Sequence, residues 1–91
     1  MQEDFKPHFR ALVVEAVKIV GSQTELARLM SRSQQQVSAL CTRAETISAE
    51  DALEIHWATD GKVPASSTRP DLWLSPEDVP TREQSAMAAA S

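Results

Sequence analysis

Ninety-one residues with 42% apolar content suffice for one small domain, because a chain of this length buries only about 60–65% of its unfolded surface. Cys41 is the only cysteine and the formal charge is −4, so a disulfide framework and zinc-finger spacing are excluded within the chain, and no apolar run approaches the roughly 18 residues that span a bilayer. Tyrosine is absent, glycine occurs twice, and Val/Ile/Phe alternation is nowhere sustained, which predicts an all-α fold. No paired carboxylates share a plausible cleft, no nucleophile has a base at a suggestive spacing and no glycine-rich phosphate loop exists, so no enzyme, metal site or cofactor is expected.

Residues 1–8 are polar, with Pro7 expected inside the first turn of a helix, where its missing amide costs nothing. Glu3 and Asp4 stand where a signal peptide would be basic, so the expected location is the cytosol. From Phe9 onward, Phe9, Leu12, Val13, Ala16, Val17 and Val20 form one apolar stripe at helical spacing. Gly21 ends that helix.

Ser22 to Thr42 holds two further helical signals with almost nothing between them. Ser22-Gln23-Thr24-Glu25 has the form S-x-x-E and Ser33-Gln34-Gln35-Gln36 the form S-x-x-Q, two capping boxes that start helices at Gln23 and Gln34. Only Met30-Ser31-Arg32 remains to turn the corner, the geometry of a helix-turn-helix. Leu26, Ala27, Leu29 and Met30 share one face, and Val37, Leu40 and Cys41 recur at i, i+3 and i+4. Ala27 falls where the second helix passes closest. Cys41 reads as a small core residue rather than a reactive thiol.

Subtracting the buried positions leaves Gln34, Gln35, Ser38, Ala39 and Thr42 facing solvent. A plain surface helix is filled with Lys and Glu, whereas this face offers amides, a hydroxyl and a methyl. Glutamine pairs bidentately with the N6/N7 edge of adenine, serine bonds to several bases, and an alanine methyl packs on thymine's methyl. Gln and Ser also occur on ordinary helix surfaces, so the reading rests on both start signals, the short turn and the uncharged face agreeing in one window.

Ser48 caps a fourth helix, with Glu50 and Asp51 near its positive end and Ile47 expected to staple onto Ala52. Ala52, Leu53, His56 and Trp57 fall on one face with Ile55 at its margin, and Gly61 closes the helix. His56 and His8 have no second ligand or base spaced to join them and read as structural. A short fifth turn is expected over Ala65 to Thr68, then an extended segment laying Leu72 and Trp73 on the core. An exposed Leu72, Trp73 and Leu74 cluster would be a candidate dimer or partner surface. The domain is expected over 1–74, with 75–91 a mobile acidic and alanine-rich tail.

The overall acidity argues against nucleic acid until it is located. Residues 10–45 carry Arg10, Lys18, Arg28, Arg32 and Arg43 against Glu15, Glu25 and Glu45, a net +2, and the remainder sums to −6. Phosphate contacts are expected from Arg28, Arg32 and Arg43, helped by the amides at the start of the reading helix. So few cations imply a homodimer on DNA, a short palindrome of double-stranded DNA with half-sites about 34 Å apart.

From about Leu12 to Trp73 the chain resembles the Cro-like phage regulators and the related YdaS-type antitoxins of prophages, in the wider lambda-repressor-like group. The resemblance is carried by Ala16-Val17-Lys18-Ile19-Val20-Gly21-Ser22-Gln23, Glu25-Leu26-Ala27, Gln34-Gln35-Gln36-Val37-Ser38, Ala49-Glu50-Asp51-Ala52-Leu53-Glu54-Ile55 and Arg69-Pro70-Asp71-Leu72-Trp73. The last is the most discriminating. The resemblance implies a compact bundle of about five short helices with a helix-turn-helix, in a small regulator of prophage or mobile-element type. It also implies that Gln23 contacts phosphate while steadying Gln34 and that Gln34, Gln35, Ser38 and Ala39 read bases; Thr42, exposed at the end of the same helix, is expected with the phosphate set. Ser31 stands where the family turn usually has glycine, so either that residue is left-handed at a cost of about 1 kcal/mol or the turn is reshaped. Leu40 stands where many relatives have tryptophan. The function expected is a sequence-specific transcriptional regulator, a repressor; the alternative is an antitoxin or anti-regulator acting mainly through a protein partner such as a cognate toxin.

Overall fold

The apolar stripe beginning at Phe9 forms α1, Phe9–Val20, in a computed structural model that describes residues 8–90. Phe9, Val13 and Ala16 are buried, and Leu12, Val17 and Val20 pack half-buried beside them. The expected place of Pro7 lies outside the described residues. Gly21 closes the helix at φ 117°, and no atom stands within 4 Å of where a Cβ would be. Conformation rather than space therefore demands glycine there.

α2 (Gln23–Met30), α3 (Gln34–Thr42), α4 (Ala49–Ala58), α5 (Ala65–Thr68) and α6 (Arg82–Ala90) follow, with a 3-10 turn at Pro76–Asp78. No strand occurs among the described residues, so the fold is all-α. α3 packs on both α1 and α2, while α2 also leans on α4. Leu26, Met30, Val13, Val37, Ile55 and Val63 are fully buried where these helices meet, each stabilising the fold by about 1.5–3 kcal/mol. Leu29 and Cys41, expected on the buried faces, are only half-buried, Cys41 at the edge of this core.

α4 departs from its one-face reading because it separates two apolar clusters. Ile55, expected at the margin, is fully buried in the main core, whereas Ala52 belongs to a second cluster with Ala65 and Val79, flanked by Leu53 and Trp73. Ile47 accordingly joins the cluster of Ile55 and does not staple onto Ala52. The helix ends at Ala58, with Thr59 as its cap. Buried Thr59 donates its hydroxyl to the Ile55 carbonyl at 2.9 Å and accepts from the Val63 amide at 3.0 Å, pairing an amide that would otherwise be stranded.

The segment after α5 is a turn rather than an extended run. The amides of Leu72 and Trp73 both donate to the Arg69 carbonyl, at 3.0 and 3.3 Å. This turns Trp73 onto the second cluster and leaves Leu72 46% exposed. The body also continues past residue 74, where the sequence places the start of a free tail. Val79 is 8% exposed, Trp57 donates its indole N–H to the Pro80 carbonyl at 3.0 Å, and Arg82 lies 4.7 Å above the Trp57 ring. α6 then starts on a reciprocal box in which Gln84 and Thr81 exchange bonds of 3.0 and 2.9 Å.

Candidate nucleic-acid interface

Each start signal in the Ser22 to Thr42 window produces a helix, but the two caps are built differently. Ser33 accepts from the Gln36 amide at 3.1 Å and Gln36 returns a bond to the Ser33 amide at 2.8 Å, a full capping box. Ser22 accepts from the Glu25 amide at 3.0 Å, yet the Glu25 carboxylate forks onto Arg28. An arginine three residues away offers a charge-assisted partner that outcompetes a neutral amide. That bond holds Glu25 below the usual carboxylate range and pushes Arg28 further up.

Between the helices, Ser31 takes φ 59°, ψ 43°. Its amide bonds to the Arg28 carbonyl at 3.2 Å and that of Arg32 to Ala27 at 2.9 Å, the paired bonds of a Schellman ending. Serine thus occupies a glycine conformation at a cost of about 1 kcal/mol, and the turn keeps its shape.

The residues expected to read bases, Gln34, Gln35, Ser38 and Ala39, separate by what already holds them, while Gln36, outside that set, is committed to its cap. Gln34 donates its side-chain amide to Gln23, so these two, eleven positions apart, are brought together. Gln35 is exposed, and its side chain has no hydrogen-bond partner among the described residues. Ser38 and Ala39 are half-buried one turn further along. Thr42 donates its hydroxyl to the Ser38 carbonyl at 2.8 Å.

The cations divide in the same way. Arg28 is 68% exposed although paired with Glu25, and Arg43 is exposed with no ion pair among the described residues. Arg32 is different: its Nε donates to Asp51 at 2.8 Å, Glu50 lies 3.7 Å from its Nη2, and its side chain is only 26% exposed. It ties the α2–α3 turn to the start of α4.

Two arginines that carry no reading role position the end of α3. Arg10 donates to the Ala44 carbonyl at 2.7 Å. Arg69 donates to the Ile47 carbonyl at 2.8 Å while Asp71 grips it at two points, 3.0 and 2.8 Å. The Arg-Pro-Asp step is therefore a clamp on the α3–α4 connection, and Trp73 two residues on anchors it to the second cluster. Of the candidate partner surface, Trp73 is half-buried in that packing, and Leu74 stands 92% exposed beside Leu72.

No group of three or more potential metal ligands occurs among the described residues. Burial pushes the Cys41 thiol up, which suppresses the reactive thiolate. His56 accepts from the Ala65 amide through Nδ1 at 3.1 Å, and burial pushes its pKa down against an opposing pull from Asp60. No described helix is long and apolar enough to cross a membrane.

A family model described as bacterial toxin YdaS matches residues 13–77, a span that includes all of α2 to α5 and the Arg69 clamp. No curated protein and no solved structure matches the chain. With most of its length inside that match, this chain belongs to the YdaS family.

Proposed function

We propose that this protein is a sequence-specific DNA-binding regulator of Cro-like type, a repressor from a prophage or mobile element, in which α2 and α3 act as a helix-turn-helix and α3 enters the major groove. The observation that carries this reading is the uncharged, exposed start of α3, where Gln34 is oriented by Gln23 and Gln35 keeps both amide groups available. An oriented amide beside a free one suits bidentate pairing with adenine, and Ser38 and Ala39 extend the contact along the groove.

Phosphate contacts fall to Gln23, Arg28 and Arg43, with the first amides of α3 adding partial positive charge. Thr42 contributes least, since its one hydroxyl proton is already given to Ser38 and a phosphate oxygen needs a donor. Arg32 is shared with the carboxylates of α4. Such a small cationic set favours two copies on a two-fold site over a single bound copy.

Fluorescence anisotropy against the protein's own promoter region and a scrambled duplex, at two salt concentrations, tests the reading. Wild type should prefer the promoter well beyond tenfold with a steep salt slope. Gln35→Ala should keep the fold and lose roughly 1–3 kcal/mol of discrimination.

Leu74, 92% exposed beside half-exposed Leu72, favours a second reading in which the protein acts as an antitoxin or anti-regulator through a protein partner. The word toxin in the family's description agrees with that setting. Equal, weak binding to both duplexes would transfer the assignment to this second reading.

A further inference from the structure

The carboxylate of Glu25 has a use that the start of α2 does not need. Ser33 and Gln36 close their capping box with a neutral amide, so glutamine at the third residue of a helix serves the cap as glutamate does. Glu25 holds the same position in α2, where Ser22 keeps its own half of the box. The Glu25 side chain turns instead to Arg28, meeting Nε at 3.2 Å and Nη2 beside it. Arg28 is 68% and Glu25 38% exposed, so the pair adds little to the fold. The fork takes Nε and Nη2 and leaves Nη1 without a hydrogen-bond partner among the described residues. Glu25 thus supplies Arg28 with the anion that a phosphate would be.

We propose that Glu25 is a positioning residue that sets how tightly the protein holds any duplex, by occupying Arg28 in place of a DNA phosphate. This rests on the DNA-binding reading above, which gives Arg28 to the backbone. Two effects weaken binding. The carboxylate competes for the guanidinium, by about two- to threefold for an exposed pair on one helix turn. Two anions on one guanidinium, roughly 8 Å apart, also repel each other, by about twofold even in bulk water. The order that Glu25 imposes on Arg28 works the other way, but at most by about twofold. The brake therefore wins. A phosphate contact carries no base information, so the brake acts on specific and non-specific duplexes alike and leaves sequence preference to the face of α3.

Glu25→Gln, Arg28→Gln, the double variant and wild type, all as full chains, separate the outcomes by anisotropy on the promoter and scrambled duplexes at two salt concentrations. Glu25→Gln should bind both duplexes roughly three- to tenfold more tightly at low salt, with a salt slope steeper by up to about one. Lost structure could not produce that gain. In the Arg28→Gln background the same change should give only about twofold, the repulsion without the competition. Unchanged or weaker binding by Glu25→Gln, or an equal gain with and without Arg28, would overturn the brake alone. Failure of wild type itself to prefer the promoter would overturn the DNA reading and the brake with it.

Discussion

His56 shows how a residue without a chemical role still leaves a measurable signature. Its Nδ1 accepts from the Ala65 amide, which requires an unprotonated nitrogen, and burial lowers its pKa from the ordinary value. The unfolded chain, with a histidine pKa of about 6.5, takes up that proton more readily than the folded one. Stability carried by neutral His56 is thus fully present above the unfolded value and is lost as pH falls through the lower folded value. Urea midpoints measured across this range should decline below about pH 6.5 in wild type, and His56→Gln should remove that step while leaving the carboxylate-driven loss at lower pH. Ser31 makes the complementary point: the absence of glycine was legible, but whether serine would be strained or the turn reshaped depended on the two Schellman bonds closing around it.

At the scale of the element, helix starts were the most legible feature, because a capping side chain and the amide it accepts lie three residues apart and need no tertiary partner. Ser22, Ser33 and Ser48 all accept from that amide. Thr81 and Gln84 form the same box, and the T-x-x-Q spelling was there to be read in a segment whose prolines and alanines suggested a tail. The fate of Glu25 was not legible, since the cap and Arg28 are both local and only their relative strength chooses between them. Because α3 is nine residues long, shorter than an isolated helix can sustain, its cap matters to its first turn, the end proposed to read bases. Ser33→Ala should cost about 1 kcal/mol of global stability by chemical denaturation. It should weaken promoter binding as well, because Gln34 and Gln35 occupy the turn that would fray.

For the molecule as a whole, charge is sorted rather than balanced. The window from Arg10 to Glu45 is net positive within an acidic chain, and α4 holds much of the opposing charge in pairs with Arg32 and Arg82. A surface with so few uncommitted cations should bind a single half-site poorly. A duplex carrying two half-sites about one helical turn apart should be bound roughly tenfold or more tightly than one carrying a single half-site, with two protein copies per duplex by sedimentation. Equal affinities for the two duplexes would rule out the two-copy arrangement.

The helices over 9–20, 23–30, 34–42 and 65–68, the fourth helix start at Ser48 and the uncharged face of α3 were determined by local sequence, because periodicity, caps and glycine stops act within a few residues. Long-range packing decided the rest. It buried Ile55 in the main core and fixed Arg69 on the Ile47 carbonyl, giving the Arg-Pro-Asp-Leu-Trp stretch its structural meaning. It withdrew Arg32 toward Asp51 and folded residues 76–82 back onto Trp57. The contacts of Arg32, Arg69, Pro80 and Arg82 join residues 19 to 25 positions apart. A side chain with several partners of similar strength is assigned by the geometry of the assembled core, which no short window of sequence contains.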